Sequence, residues 1–257
     1  MEPTLQVGHQ ILTALELIQS IRQYQLLPKL VQELVIDRLV ADVDCVTQIA
    51  YREYCVRHQL TTEEQRQSWC QQRQLEAAHL LQEAIREYRI NKFKEETWGS
   101  QVQSLFLQRK PQLDRVIYSL IRTKDLGLAQ ELYFRLNDDG KAFADLAKRY
   151  SEGQEAKTGG MVGPVELSVP HPIISRMLQL SSPQQLWSPT QVGEWAVIVR
   201  LEKLIPAQLD DAMRQRLLTE QFQTLVKQQM QSNPVKVLAQ SAPPDSQLSH
   251  SELTTAA

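Results

Sequence analysis

The apolar positions change rhythm along the chain. Between residues 11 and 110 they recur three and four apart, as in Leu27, Leu30, Val31, Leu34, Val35 and Leu39, and again in Leu75, Ala78, Leu81, Ala84 and Tyr88. That spacing places them on one face of a 3.6-residue helix and predicts about five helices without a strand. Start signals agree with it. Pro28 suits the first turn of a helix, where its missing N–H costs nothing, and Thr62-Glu63-Glu64-Gln65 reads as a capping box. Pro111 is expected to stop a short helix through Val102, Leu105 and Phe106.

Beyond Pro111 the pattern is mixed. Val116-Ile117-Tyr118-Ser119-Leu120-Ile121 is short, β-branched and aromatic, which predicts a strand. Leu126, Leu128, Ala129, Leu132, Tyr133 and Leu136 then predict a helix ending at Gly140. Further helices are predicted over 143–150 and 173–180, and a strand over 194–201. The two strands most simply lie side by side in one small sheet covered by those helices, an α+β arrangement that Pro206 ends. A last helix, 209–230, carries Leu217, Leu218, Phe222, Leu225 and Val226 as a stripe that must be buried. We expect it to pack back on the N-terminal helices. The domains expected are an all-α N-terminal domain at 1–110, an α+β domain at 112–203, the returning helix at 207–230 and a disordered polar tail at 231–257.

Composition narrows the partner classes. With 257 residues the chain is long enough for a real core, and a formal charge of -2 excludes the basic footprint of a nucleic-acid binder. Glu16, Gln19 and Arg22 interrupt the first apolar run, so neither a signal peptide nor a membrane span is expected. Cys45, Cys55 and Cys70, odd in number, suit reduced thiols, and the expected compartment is the cytoplasm.

The densest local signal lies at 147–172. Four of the nine glycines, Gly153, Gly159, Gly160 and Gly163, fall close together there and are followed by Pro164, Pro170 and Pro172. Such a cluster shapes a non-helical backbone crossing. Phe143-Ala144-Asp145-Leu146-Ala147-Lys148-Arg149-Tyr150-Ser151, then Gly159-Gly160-Met161-Val162-Gly163, then Gly193-Glu194-Trp195-Ala196-Val197-Ile198-Val199 resembles, in order and spacing, the parvulin family of peptidyl-prolyl cis/trans isomerases. The resemblance covers about residues 112–203 and implies a small parvulin-like sheet in which the glycine crossing borders a pocket for the substrate proline. It implies no cofactor. The layout of helical region, parvulin domain and returning helix is similar to that of SurA-like folding factors.

The same resemblance marks departures. Parvulins commonly carry a buried histidine on the first strand, another on the last, and a cysteine or aspartate after the Tyr-Ser helix end. Tyr118, Trp195 and Gly153 stand at those positions here, and Met161 replaces an acidic residue often found between the glycines. The implied substrate-binding set is Tyr118, Met161, Val169, Ile173, Ile174, Met177 and Trp195, with no catalytic group assigned. Tyr118 and Trp195 also read as ordinary sheet-face residues, and His171 as a solvated loop histidine. Cys55 and His58, with Cys70 and His79, have no standard zinc spacing and read as core positions, so no metal is expected.

Two functions are expected in order. The first is a peptidyl-prolyl isomerase of reduced activity that acts on unfolded or precursor polypeptides, with a secretion machine as a further partner. The alternative is a non-catalytic chaperone or adaptor that binds polypeptide through the same domain.

Overall fold

The computed structural model of the chain describes residues 5–137 and 142–232. Its backbone contacts gather into two units, one drawn from residues before Asn91 and after Phe222, the other comprising Asn91–Phe222. Gly140 and nearly all of the tail expected to be disordered lie outside the described residues.

The first unit opens with an antiparallel hairpin of β1 (Leu5–Val7) and β2 (Gln10–Leu12). Helical spacing had placed no strand near Ile11, because three-residue strands are too short to show alternation. Helices α1 (Ala14–Gln23), α2 (Leu27–Leu39), α3 (Thr47–Arg57) and α4 (Glu63–Arg73) follow, and α5 (Ala77–Trp98) crosses the boundary between the units. The capping box at Thr62 and Gln65 is formed, a second one joins Thr13 and Glu16, and Pro28 sits in the first turn of α2. Tyr54, Cys55, Leu60, Cys70, Leu80 and Ala84 make a buried cluster.

In the second unit α6 (Val102–Leu113) continues through Pro111, which was expected to stop it. Pro111 lies in the last turn, where its missing donor removes a single helical bond. Then come β3 (Arg115–Thr123), α7 (Leu126–Asn137), α8 (Phe143–Tyr150), a 3₁₀ turn at Gln154–Thr158, β4 (Met161–Glu166), α9 (Pro172–Leu180), β5 (Thr190–Val192), β6 (Trp195–Ile205) and α10 (Asp211–Ser232), whose residues after Phe222 belong to the first unit.

The sheet has the order β4-β3-β6-β5 and is antiparallel throughout. Its central pair, β3 and β6, is the pair of strands the sequence predicts. The edges are additions. β4 carries Gly163 and Pro164, residues that argue against a strand and are tolerated at an edge. On one face Ile121 and Ile198 pack with Leu132 of α7 and with Phe143, Leu146 and Ala147 of α8. On the other, Val116, Tyr118, Leu120, Val197, Val199 and Leu201 pack with Ile174, Met177 and Leu178 of α9.

Leu217 and Leu218 of α10 are buried with Val102, Phe106 and Leu113, and the Phe222 ring stands edge-on to Phe93 at 5.9 Å. Arg216 pairs with Glu166 at the end of β4, its Nη2 donating to Oε2 at 3.0 Å.

Candidate functional site

The glycine crossing is formed by contact and not by turn propensity alone. Gly159 and Gly160 have φ of 66° and 84°. The Gly160 N–H donates to Glu155 O at 2.7 Å, and its carbonyl accepts from Leu120 N–H at 2.8 Å. A Cβ on Gly160 would stand 2.9 Å from Leu120 O, Ala147 Cβ and Phe143 Cε1, so the chain here is pressed between β3 and α8. Ser151, at the end of α8, fixes the entry to the crossing. Its Oγ donates to Glu155 Oε1 at 2.7 Å and accepts from Arg122 N–H at 3.1 Å.

The expected pocket residues do not all lie at one place. Tyr118, Ile174 and Met177 are buried together in the core beneath α9. Burial pushes the Tyr118 phenol above its ordinary pKa; the Glu155 charge adds to this and Arg122 opposes it. Val169 and Ile173 are exposed, at 67% and 41%, on the segment that leaves β4 and in the first turn of α9.

Met161 is a correction to the expected pocket. It pairs with Ser119, whereas Val162 pairs with Tyr118 and packs on the Tyr118 cluster. Directly paired residues share a sheet face, so Val162 stands where Met161 was expected, and Met161 is 55% exposed on the opposite face.

The two aromatic replacements meet the same core, Trp195 packing against the cluster that contains Tyr118, but they do not pair across the strands. Tyr118 lies opposite Leu201, towards the far end of β6 from Trp195. Trp195 is half-buried and also has two cations on its ring: Arg122 Cζ at 5.5 Å and Lys124 Nζ at 5.1 Å from the centroid.

Arg122 and Glu155 are the residues that motif reading missed. Arg122 is two and four positions beyond Leu120 and Tyr118 on β3, hence on their face. Its Nε lies 3.0 Å from Glu155 Oε1, and the Glu155 side chain is only 6% exposed while that of Arg122 is 34% exposed. The contact is ionic: Arg122 Nε is buried yet has no hydrogen-bond partner among the described residues. Gly153 makes the space. A Cβ there would overlap Arg122 Nε and Glu155 Oε2, although φ of -106° suits any residue. The guanidinium thus fills the place next to the position where the family resemblance implies a cysteine or aspartate. A buried acid in a glycine-rich loop, and a cation at even spacing from Tyr118, were the available signals.

The remaining candidates have structural partners. Cys55 and Cys70 belong to the buried cluster of the first unit, and His58 Nε2 lies 2.9 Å from Glu87 Oε2. Among the described residues no three His, Cys, Asp or Glu side chains gather as metal ligands. His171 is not merely solvated but caps α9, its Nδ1 accepting from Ile173 N–H at 3.3 Å.

Residues 122–203 match the family model described as the PPIC-type PPIASE domain. No curated protein matches the chain. Among solved structures the chain is similar to the parvulin domain of PpiD from E. coli, at 31% identity over 39% of this chain and 97% of that one, with a TM-score of 0.33. It is also similar to the peptidylprolyl isomerase PrsA from Bacillus anthracis, at 16% identity over 82% of this chain and 100% of that one, TM-score 0.48. A third likeness, at 16% identity over 92% and 100% with a TM-score of 0.36, is to a structure described with PEB4 and Cj1289, two SurA-like chaperones of Campylobacter jejuni. The structural superpositions are loose, and it is the family model, together with the ordered motifs and the glycine crossing, that places the domain. The chain therefore carries, over residues 122–203, a PPIC-type domain of the parvulin family.

Proposed function

We propose that the protein is a folding factor that binds unfolded polypeptide and speeds cis/trans isomerisation of its X-Pro bonds, more slowly than a parvulin domain with imidazoles in its site. The observation that carries this reading is the crossing at Gly159 and Gly160, held by β3 and α8 within the matched domain. Rotation about X-Pro crosses a barrier of about 18–20 kcal/mol without breaking a bond, so a shaped apolar surface with well-placed donors suffices as machinery. Val162, Val169 and Ile173 supply apolar surface beside the crossing in sequence, and Arg122 and Trp195 supply donors.

As a narrower part of the same proposal, the protein works in the cytoplasm, which its three free cysteines support, on precursors later taken by a secretion machine. The test is a protease-free isomerisation assay on a tetrapeptide with one X-Pro bond, run beside its binding to the full chain. Catalysis with saturable binding is expected. Binding without catalysis would favour a non-catalytic adaptor, and neither would remove the isomerase reading.

A further inference from the structure

The rotating bond offers one acceptor that exists only at the top of the barrier. In the planar amide the nitrogen lone pair is delocalised into the carbonyl; in the twisted amide it is localised and accepts a hydrogen bond. A donor aimed at that nitrogen therefore binds the twisted state better than either planar isomer, which is the condition for catalysis. No proton or electron pair need be transferred.

Arg122 meets the requirements for such a donor. Glu155 holds it by charge from a buried position, Trp195 lies beneath the guanidinium, and the missing side chain at Gly153 gives it room. Its buried Nε makes no hydrogen bond to the described residues, and the side chain stays partly exposed on the Tyr118 face of the sheet. A cation held by charge, with its buried Nε left without a hydrogen bond, is unusual for a structural ion pair, whose donors are normally consumed.

We propose that Arg122 is the catalytic residue of this domain, its guanidinium donating to the X-Pro nitrogen as the bond twists, with Glu155 and Gly153 as positioning residues. The assignment rests on the isomerase reading of residues 122–203. The assignment also gives Gly153 a role: the guanidinium takes the space that a side chain at position 153 would otherwise fill.

Exchange NMR on a proline tetrapeptide with the full chain reads binding and interconversion separately. Arg122→Lys keeps the charge but loses the planar fork, and is expected to lower kcat by about 10²-fold with KM unchanged. Gly153→Ala leaves the arginine in the sequence and is allowed by its backbone angles, yet its methyl occupies the guanidinium's place. It is expected to lower kcat by at least about tenfold while the thermal midpoint stays close to that of the unaltered chain. Either variant at the unaltered rate would overturn the assignment. A chain that binds the peptide but does not catalyse overturns the role of Arg122 and leaves polypeptide binding intact. A chain that does not bind overturns the isomerase reading with it.

Discussion

At Gly160 a backbone angle and a close contact coincide, and the two make different demands on a substitute. Valine there must adopt φ near 84° and place its Cβ against Leu120 O and the Phe143 ring. Backbone strain alone costs about 1–3 kcal/mol. Gly160→Val is expected to lower the unfolding free energy read from urea denaturation by at least that amount and to abolish binding of proline peptides. A variant that kept full affinity would separate the crossing from the site. The residue scale also sets a pH expectation. Among the described residues no imidazole stands beside Arg122, and burial followed by the Glu155 charge holds the Tyr118 phenol above its ordinary value. The isomerisation rate is therefore expected to be flat between about pH 6 and 8, where histidine chemistry would step. A step in that window would bring His171, the one histidine of residues 112–203, into the chemistry.

Among the elements, α10 and β4 are joined by a charge contact whose strength depends on pH. Hydrogen bonding from Arg216 holds the Glu166 carboxyl below the usual carboxylate range, against a smaller opposing effect of burial. Glu220 is also lowered: burial raises it, but hydrogen bonds from Arg109 and Arg216 outweigh this. A depressed folded value means that the stabilisation is fully present above the unfolded carboxylate value and is lost as pH falls through the folded one. Glu166→Gln is expected to flatten the acid limb of the stability curve below about pH 4.5 while changing little at pH 7, because the pair is partly exposed. Chemical unfolding at a series of pH values checks this, and an unchanged acid limb would show that Glu166 does not carry the linkage.

Over the whole molecule, the first two helices differ from the other α-helices in burying no residue. Leu15, Ile18, Leu30 and Leu34 are exposed on α1 and α2. A folding factor uses apolar surface of this kind to hold unfolded chains. The full chain is expected to suppress aggregation of a denatured client that contains no proline, as read by light scattering. Leu15→Ser with Ile18→Ser and Leu34→Ser is expected to weaken that suppression and leave the isomerisation rate unchanged. Equal suppression by the triple variant would move the holding surface elsewhere in the molecule.

Periodicity and punctuation in the sequence were enough for the long helices, the central strands β3 and β6, the capping box at Thr62 and the glycine crossing. Each depends on contacts or backbone angles a few residues apart, so local sequence carries the signal. The parvulin motifs were legible for the same reason, since Tyr150-Ser151 and Gly159-Gly160 serve one continuous stretch of backbone. Edge strand β4 was not legible, because Gly163 and Pro164 are strand breakers everywhere except at an edge, and only the assembled sheet says where the edge is. Tertiary structure likewise decided the site. Whether Met161 or Val162 meets Tyr118 depends on the register between β3 and β4, and a shift of one residue exchanges the faces. The meeting of Arg122, Gly153, Glu155 and Trp195 joins two strands and a loop across more than seventy positions of sequence. No single one of those residues announces it, because the contact exists only once the antiparallel pairing of β3 with β6 has brought their ends together.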